Sequence, residues 1–399
     1  MLTPDGPGAA LSAARRSAFL PFAPPLIGQE EIDEVVDTLR SDWITTGPKT
    51  KAFEVKFAAY LGAPGALALN SCTAALHTAL VTLGIRSGDE VITTPMTFAA
   101  SVNVIEHVGA RPVLVDVEPD TLNLDPRQVD AAVTARTRAV IPVHYAGHPA
   151  ELGPIRDVAG PRGVVVIEDA AHALTARYRG HPIGAGPNPV AFSFYATKNL
   201  TTAEGGMLTG EPAFLDRARV VSLHGLSRDA WRRYDQGGNW RYEVLLPGFK
   251  YNMTDMAAAL GLQQLEKLAS FQRRRRAVVT RYTEGFSDLE ALELPAERPD
   301  VDHAWHLYVL RLRAQALHIG RDQFISELAA RNIGTSVHFI PIHLHPYYRN
   351  RYAYTPDSFP VAYANYERML SLPLNPRLSD QDVADVIEAV RDVVHAHRR

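Results

Sequence analysis

The chain has a single cysteine, Cys72, in 399 residues. One thiol excludes an internal disulfide, a four-thiolate iron–sulfur cluster and a cysteine-based zinc finger, and it fits a reducing cytoplasm. Long apolar runs are missing too. No stretch approaches the roughly 20 consecutive apolar residues that cross a bilayer, so neither a transmembrane helix nor a membrane partner is expected. Charge of one sign is not in excess either. Lys and Arg total 41 against 44 Asp and Glu, a formal net charge of −3 that offers no basic field to a nucleic-acid backbone. Internal repeats and low-complexity tracts are absent. What remains, 46% hydrophobic and 21% charged residues, is the composition of a folded globular protein, long enough for a large domain and a smaller one.

The first residues are rich in Ala, Gly and Pro and read as a flexible leader over 1–20. Arg15 and Arg16 before the apolar stretch 18–26 have the look of an export signal, but Pro21, Pro24 and Pro25 break it. Helical spacing then puts Ile32, Val35, Val36 and Leu39 on one face. Short runs rich in Val and Ile follow at 65–70, 90–94, 112–117, 139–144, 163–169 and 190–195, separated by helix-sized segments at 73–83, 125–133 and around Ile155. This alternation predicts an α/β fold with a mostly parallel sheet covered on both faces, over a large domain at 21–265. A long helical stretch at 254–283 carries the Arg273–Arg276 cluster, read as a solvated or interface face. It links to a small C-terminal α+β domain, the unit 266–399, with strands expected at 306–312 and 334–339. Its last helix is capped at Ser379 and Asp380 and buries Val383, Val386, Ile387, Val390 and Val394.

Three segments fall where strands end, and ligands of open parallel sheets sit beyond the carboxyl ends of their strands. In the first, Ser71, Cys72 and Thr73 open a helix, whose free N–H groups and positive dipole end suit a phosphate; simple N-capping would explain one hydroxyl equally well. In the second, Glu168, Asp169 and His172 follow a run of buried valines. A carboxylate there is costly without a cation, and the protonated ring nitrogen of pyridoxal phosphate (PLP) is a fitting one. The alternative makes Asp169 a turn cap and His172 a satisfied core histidine. The third segment places Lys198 just past a strand, among the hydroxyls of Ser193, Thr197, Thr201 and Thr202, with Gly205 and Gly206 permitting close backbone approach. A desolvated lysine of this kind forms Schiff bases. Asp169 precedes it by 29 residues, room for a turn or hairpin and one strand, so both can face one ligand.

Read in order, WITTGPKTKAFE, NSCTAALH, TTPMTFAASVN, VIEDAAHA, SFYATKNLTTAEGGM, LHGL, PGFKYNMTD and GTSVHFIPIHLHPYY resemble the DegT/StrS family of PLP-dependent sugar aminotransferases over nearly the whole chain. The resemblance implies PLP-dependent transferase fold type I. It implies Lys198 as the Schiff-base lysine, Asp169 on the pyridine nitrogen, His172 beside the ring oxygen and Phe98 stacked on the ring. Phosphate would be held by the Cys72-Thr73 turn, by Ser193 and by Asn252 of a neighbouring subunit in a homodimer with shared active sites. Many family members carry glycine at the position of Cys72. LLPGFKYNMTD, HAWHLYVLRL and IGTSVHF are similar to the branch that forms 4-amino-4-deoxyarabinose on a UDP carrier, which tends to have Trp where this chain has Phe98.

The implied partners are L-glutamate and a nucleotide-linked keto sugar, converted to 2-oxoglutarate and an amino sugar. Thr46, Arg228, Arg232, Lys250, His338 and Tyr347 are candidates for the sugar and diphosphate oxygens. A sugar dehydratase of the same fold would carry histidine in place of Lys198 or an iron–sulfur cluster. A cysteine desulfurase would need a mobile cysteine. A non-enzymatic regulator that kept the fold would have no reason to retain both Asp169 and Lys198.

Overall fold

The computed structural model describes residues 16–227 and 242–399, so positions 1–15 of the expected leader and both Arg228 and Arg232 lie outside the described residues. Arg16 is ion-paired with Asp382 and Asp385, and the Leu20 N–H bonds the Asn332 carbonyl at 2.8 Å. The stretch 16–20 is therefore packed structure rather than leader.

Two helices, α1 (Gln29–Arg40) and α2 (Pro48–Leu61), precede an alternation of strands and helices. It runs β1 (Ala66–Leu69), α3 (Cys72–Thr82), β2 (Glu90–Thr93), α4 (Ala99–His107), β3 (Arg111–Leu114), α5 (Pro126–Ala132), β4 (Thr137–Val140), α6 (Leu152–Ala159), β5 (Val165–Val166) and β6 (Glu168–Asp169). A hairpin, β7 (Arg177–Tyr178) and β8 (His181–Pro182), leads to β9 (Val190–Ser193), β10 (Gly206–Thr209) and α7 (Pro212–Ser222). Strand β2 lies parallel to β3 and β4, β4 to β5, and β6 to β9. In the same sheet β10 runs antiparallel, between β9 and β1. The Ile167 and Asp169 N–H groups reach the Val140 and Pro142 carbonyls, each at 2.9 Å, and so join both halves into one sheet. The mostly parallel sheet is as the alternation implies. β10 is a strand the sequence reading left out, because its Gly-Gly start carries no strand signal.

The apolar stripe of α1 exists but faces outward: Ile32 and Leu39 are 49% and 53% exposed, while Glu31 and Thr38 are buried. Glu31 accepts bonds from Gln264 and Lys267 of the long helix α8 (Asp255–Phe286), which is why the polar side turns in. The second half of α8 enters a separate core with Val278, Val279, Tyr282 and Phe286. The remaining elements are β11 (Leu292–Glu293), β12 (Val301–Asp302), β13 (Tyr308–Leu312), α9 (Arg321–Ala330), α10 (Pro346–Tyr352), α11 (Pro360–Tyr366), β14 (Met369–Leu372) and α12 (Asp380–His397). Strands β11, β13 and β14 form an antiparallel sheet in that order. The strand expected at 334–339 is reduced to one bridge between Ser336 and Ser371, and β14 takes the edge instead. Ser379 caps α12 through the Asp382 N–H, and Val383, Val386, Val390 and Val394 are buried as read, with Ile387 half-buried.

The arginine cluster corrects the sequence reading. Arg275 is 2% exposed and gives its guanidinium to the carbonyls of Trp305, His306 and Leu374, while Arg274 grips the Leu378 carbonyl and Asp380. These side chains fasten the C-terminal part onto α8, so Arg275 does not lie on a solvated face.

Candidate active site

Asp169 ends β6, and its parallel partner β9 ends at Ser193, five residues before Lys198. The β7–β8 hairpin and β9 fill the interval between the two residues, so both emerge at the carboxyl edge of the sheet. Asp169 is 4% exposed. Its Oδ2 accepts from the Ser101 hydroxyl at 2.7 Å, and the Thr97 and Ser101 hydroxyls are also 2.7 Å apart. The Ser101 proton is committed to the carboxylate, so Thr97 must be the donor in that second bond. Oδ1 accepts from the Ala171 N–H at 3.0 Å, the turn-capping bond weighed above, and lies 4.0 Å from the Cys72 Sγ. Among the described residues no side chain forms an ion pair with Asp169.

Burial pushes the Lys198 ammonium down to about 8, against the pull of Cys72 and Asp169. Burial, reinforced by Asp169, holds the Cys72 thiol well above its usual range, so the sulfur is a neutral SH. His172 is kept neutral by burial and then by the nearby charge of Lys198. Its ring lies 4.4 Å from that of His306 and 5.6 Å from that of Phe339, and its Nδ1 is buried without a partner among the described residues.

Ser71 is the N-cap of α3, its Oγ accepting from the Ala74 N–H at 3.0 Å, so the capping role is real. Cys72 and Thr73 form the first turn, where N–H groups have no helical acceptor. Gly206 faces this turn. A Cβ there would lie 2.4 Å from the Ser71 carbonyl carbon and 2.5 Å from the Cys72 nitrogen, so only glycine lets β10 pass so close. Ser193 stands opposite Gly206 in the sheet, at the same edge.

Asn252 bridges to Leu69 at the end of β1; its Nδ2 donates to Thr46 Oγ1 at 2.6 Å and its Oδ1 accepts from Lys250 Nζ at 2.5 Å. Thr254 caps α8 by itself, which frees Asn252 from that duty as the sequence implies. Thr46, Lys250 and Asn252 thus form one polar cluster beside the start of α3. Phe98 is 64% exposed, with its ring 6.0 Å from Phe339. His338 belongs to the centre: its Nδ1 meets Ser371 Oγ at 2.9 Å, and burial followed by the Lys198 charge brings it down to about 4. Tyr347 is not drawn in; it packs against Tyr348 and Arg351. Sequence reasoning missed Ser101, Asn199, His306 and Phe339. All four lie inside quoted strings, but nothing local marks, for example, a serine four residues after Thr97 as a carboxylate partner.

The arrangement makes chemical sense once a protonated pyridine ring supplies the cation that Asp169 lacks. The orphaned His172 nitrogen, the glycine-lined turn and the Lys198 amine near neutrality all fit PLP, which places the chain among PLP-dependent transferases of fold type I. Residues 25–391 match the DegT/DnrJ/EryC1/StrS aminotransferase family, and the chain belongs to it. It is 52% identical to the spore coat polysaccharide biosynthesis protein SpsC of Bacillus subtilis over 382 residues, covering 95% of this chain and 98% of that one. Among solved structures it is similar to the putative sugar aminotransferase Spr1654 from Streptococcus pneumoniae in its PLP form, with a TM-score of 0.88 and 38% identity over 95% of this chain and 99% of that one. The PMP form of Spr1654 matches as well, with a TM-score of 0.89. DesV of S. venezuelae aligns with a TM-score of 0.86 and 37% identity over 94% of this chain and 99% of that one. The protein is a PLP-dependent sugar aminotransferase.

Proposed function

We propose that the enzyme transfers the amino group of L-glutamate to a nucleotide-linked 4-keto sugar, UDP- or dTDP-linked, releasing 2-oxoglutarate and an amino sugar. The observation that carries the reading is the pairing at one sheet edge of a buried carboxylate without a cation and a lysine brought down to about 8. PLP, when bound, supplies the electron sink for a proton shift at the substrate carbon. Lys198, titrating near neutrality, takes that proton and returns it. Asp169, held by Ser101 and the Ala171 N–H, would face the ring nitrogen. Neutral His172 offers a hydrogen bond to the ring oxygen, and the turn at Cys72 and Thr73, with Ser193, receives phosphate.

The strings at 245–255, 303–312 and 333–339 support the branch that makes UDP-4-amino-4-deoxyarabinose, although Phe98 stands where that branch carries Trp. The described function of SpsC supports a polysaccharide as the destination of the amino sugar. A homodimer with shared sites accounts for the outward apolar stripe of α1 together with exposed Trp43, Ile44 and Val55, a surface that a second copy would cover. The single buried cysteine suits a cytoplasmic enzyme. No helix of the described residues is long and apolar enough to cross a membrane.

Incubating the holoenzyme with L-glutamate and UDP-, dTDP- and GDP-linked 4-keto sugars, a 4-ketopentose among them, tests the reading. Formation of 2-oxoglutarate and an amino sugar with a UDP or dTDP member is expected. Turnover of 3-keto sugars alone, or with another amino donor alone, would overturn it.

A further inference from the structure

The Lys198 loop and His172 come from different segments, yet both meet one side chain that no motif above singles out. His306 is buried just before β13. Its ring lies 4.4 Å from the His172 ring, tilted by 39°. Its Nδ1 is 3.1 Å from the Oδ1 of Asn199, the residue after Lys198. The Asn199 amide cannot be turned around, because its Nδ2 donates to the Ala304 carbonyl at 2.9 Å. Its oxygen therefore faces His306 as an acceptor, and the His306 proton must sit on Nδ1. Burial, followed by the charges of Lys198 and Arg275, holds this ring well below the usual histidine range, so it carries one proton.

The backbone beneath is equally constrained. The His306 N–H bonds the Ala146 carbonyl at 3.0 Å, and Arg275 holds the His306 carbonyl. Gly147, at φ +100°, packs so closely that a Cβ would lie 2.9 Å from the His172 carbonyl oxygen and 3.1 Å from the His306 nitrogen. His306 is thus a fixed post with one tautomer.

We propose that His306 is a positioning residue: by packing its ring against His172 and hydrogen-bonding Asn199 it sets the orientation of the histidine beside the cofactor ring and the position of the lysine loop together. It acts through those two neighbours and touches no reacting atom.

The test uses purified holoenzyme and three variants: His306→Phe, which keeps an aromatic ring but loses the bond; Asn199→Ala, which loses the same bond from the other side; and the double variant. The first readout is the pH midpoint of the visible absorption band of bound PLP, measured without any amino donor. Each single variant is expected to move the midpoint by about half a unit or more. Single-turnover bleaching by L-glutamate should slow by roughly ten- to a hundredfold, the scale of a small misplacement of a reacting group. The double variant should be no worse than the worse single one, since both remove one bond. His306→Gln, which can still donate to Asn199, should recover part of the midpoint. Melting curves identify any variant that fails to fold, and Asn199→Ala carries the test if His306→Phe does. Unmoved midpoints in both single variants, or effects that add fully in the double variant, would overturn the proposal. A wild-type holoenzyme left unbleached by L-glutamate counts against glutamate as the donor, and the donor-free midpoint then decides this inference alone.

Discussion

Glu168 and Asp169 are neighbours on one short strand, both buried, and they point to opposite faces of the sheet. Glu168 is compensated within the chain. His144 takes the Ala150 N–H on its Nδ1, so its Nε2 carries the proton donated to Glu168 at 3.2 Å, and Arg156 adds a charge at 3.0 Å. Burial alone would raise its pKa, but these partners hold it below the usual range. Asp169, one residue on, has among the described residues only a hydroxyl, a backbone N–H and a neutral thiol on its carboxylate. A carboxylate that the fold neutralises is structural, and one that the fold leaves short of a cation marks where a cationic ligand goes.

The largest effect should come from removing the amine that faces Asp169. Lys198→Ala is expected to abolish transamination and the visible band while leaving the apoenzyme's melting temperature at pH 7 no lower than wild type, because it deletes a desolvated charge and little packing. Measurable turnover would break the assignment. Next comes the pair itself. Asp169→Asn should retain PLP and lose activity by about a hundredfold or more, the scale of a single electrostatic contribution to catalysis, with stability unchanged or higher. Glu168→Gln should do the reverse, keeping activity within a few-fold and losing roughly 1–3 kcal/mol to denaturant. If both variants fail in the same way, the contrast between the two carboxylates is wrong.

A third experiment asks whether the rest of the site is also built within one chain. Asn252→Asp puts a like charge beside the proposed phosphate seat and should be inactive alone. Unfolding it with Lys198→Ala, mixing equally and refolding should return about a quarter of wild-type activity, since about half the dimers are hybrids holding one intact site. No recovery would assign Asn252 to its own chain.

The smallest effect is a pH dependence. Lys198 is brought by burial to about 8 in the folded apoenzyme. The unfolded chain, with an ordinary lysine near 10.4, therefore binds more protons between those values, and stability must rise with pH across that window. The melting temperature of the apoenzyme relative to Lys198→Ala should climb from pH 7 to pH 10. A flat difference would show Lys198 to be solvated, leaving Asp169 without the partly neutral amine its role requires.

Much of this was legible along the chain. The valine and isoleucine runs announce a sheet covered on both faces, and the sites sit at strand ends because that is where a parallel sheet leaves backbone and helix termini open. The interval between Asp169 and Lys198 holds the hairpin and strand that the spacing allows. The apolar stripe of α1 was legible too, but its direction was not: periodicity reports a face, and whether that face meets the core or another surface depends on what packs behind it. Arg275 misled for a related reason. Four arginines in a row read as a solvated or interface face, and only the fold shows carbonyls of the C-terminal part, some 30 and 99 residues on, closing over one of them.

By itself, then, the sequence pointed to most of the α/β alternation and to the candidate lysine, carboxylate and phosphate turn, since each follows from residue types within a few positions of one another. Only the tertiary structure decided that Ser101 and Thr97 steady Asp169, that Gly206 must pass against Cys72, and that His306 joins Asn199 to His172. Those contacts link segments tens of residues apart or more, and no local pattern encodes them, because burial, hydrogen-bond direction and tautomer exist only once the segments are packed.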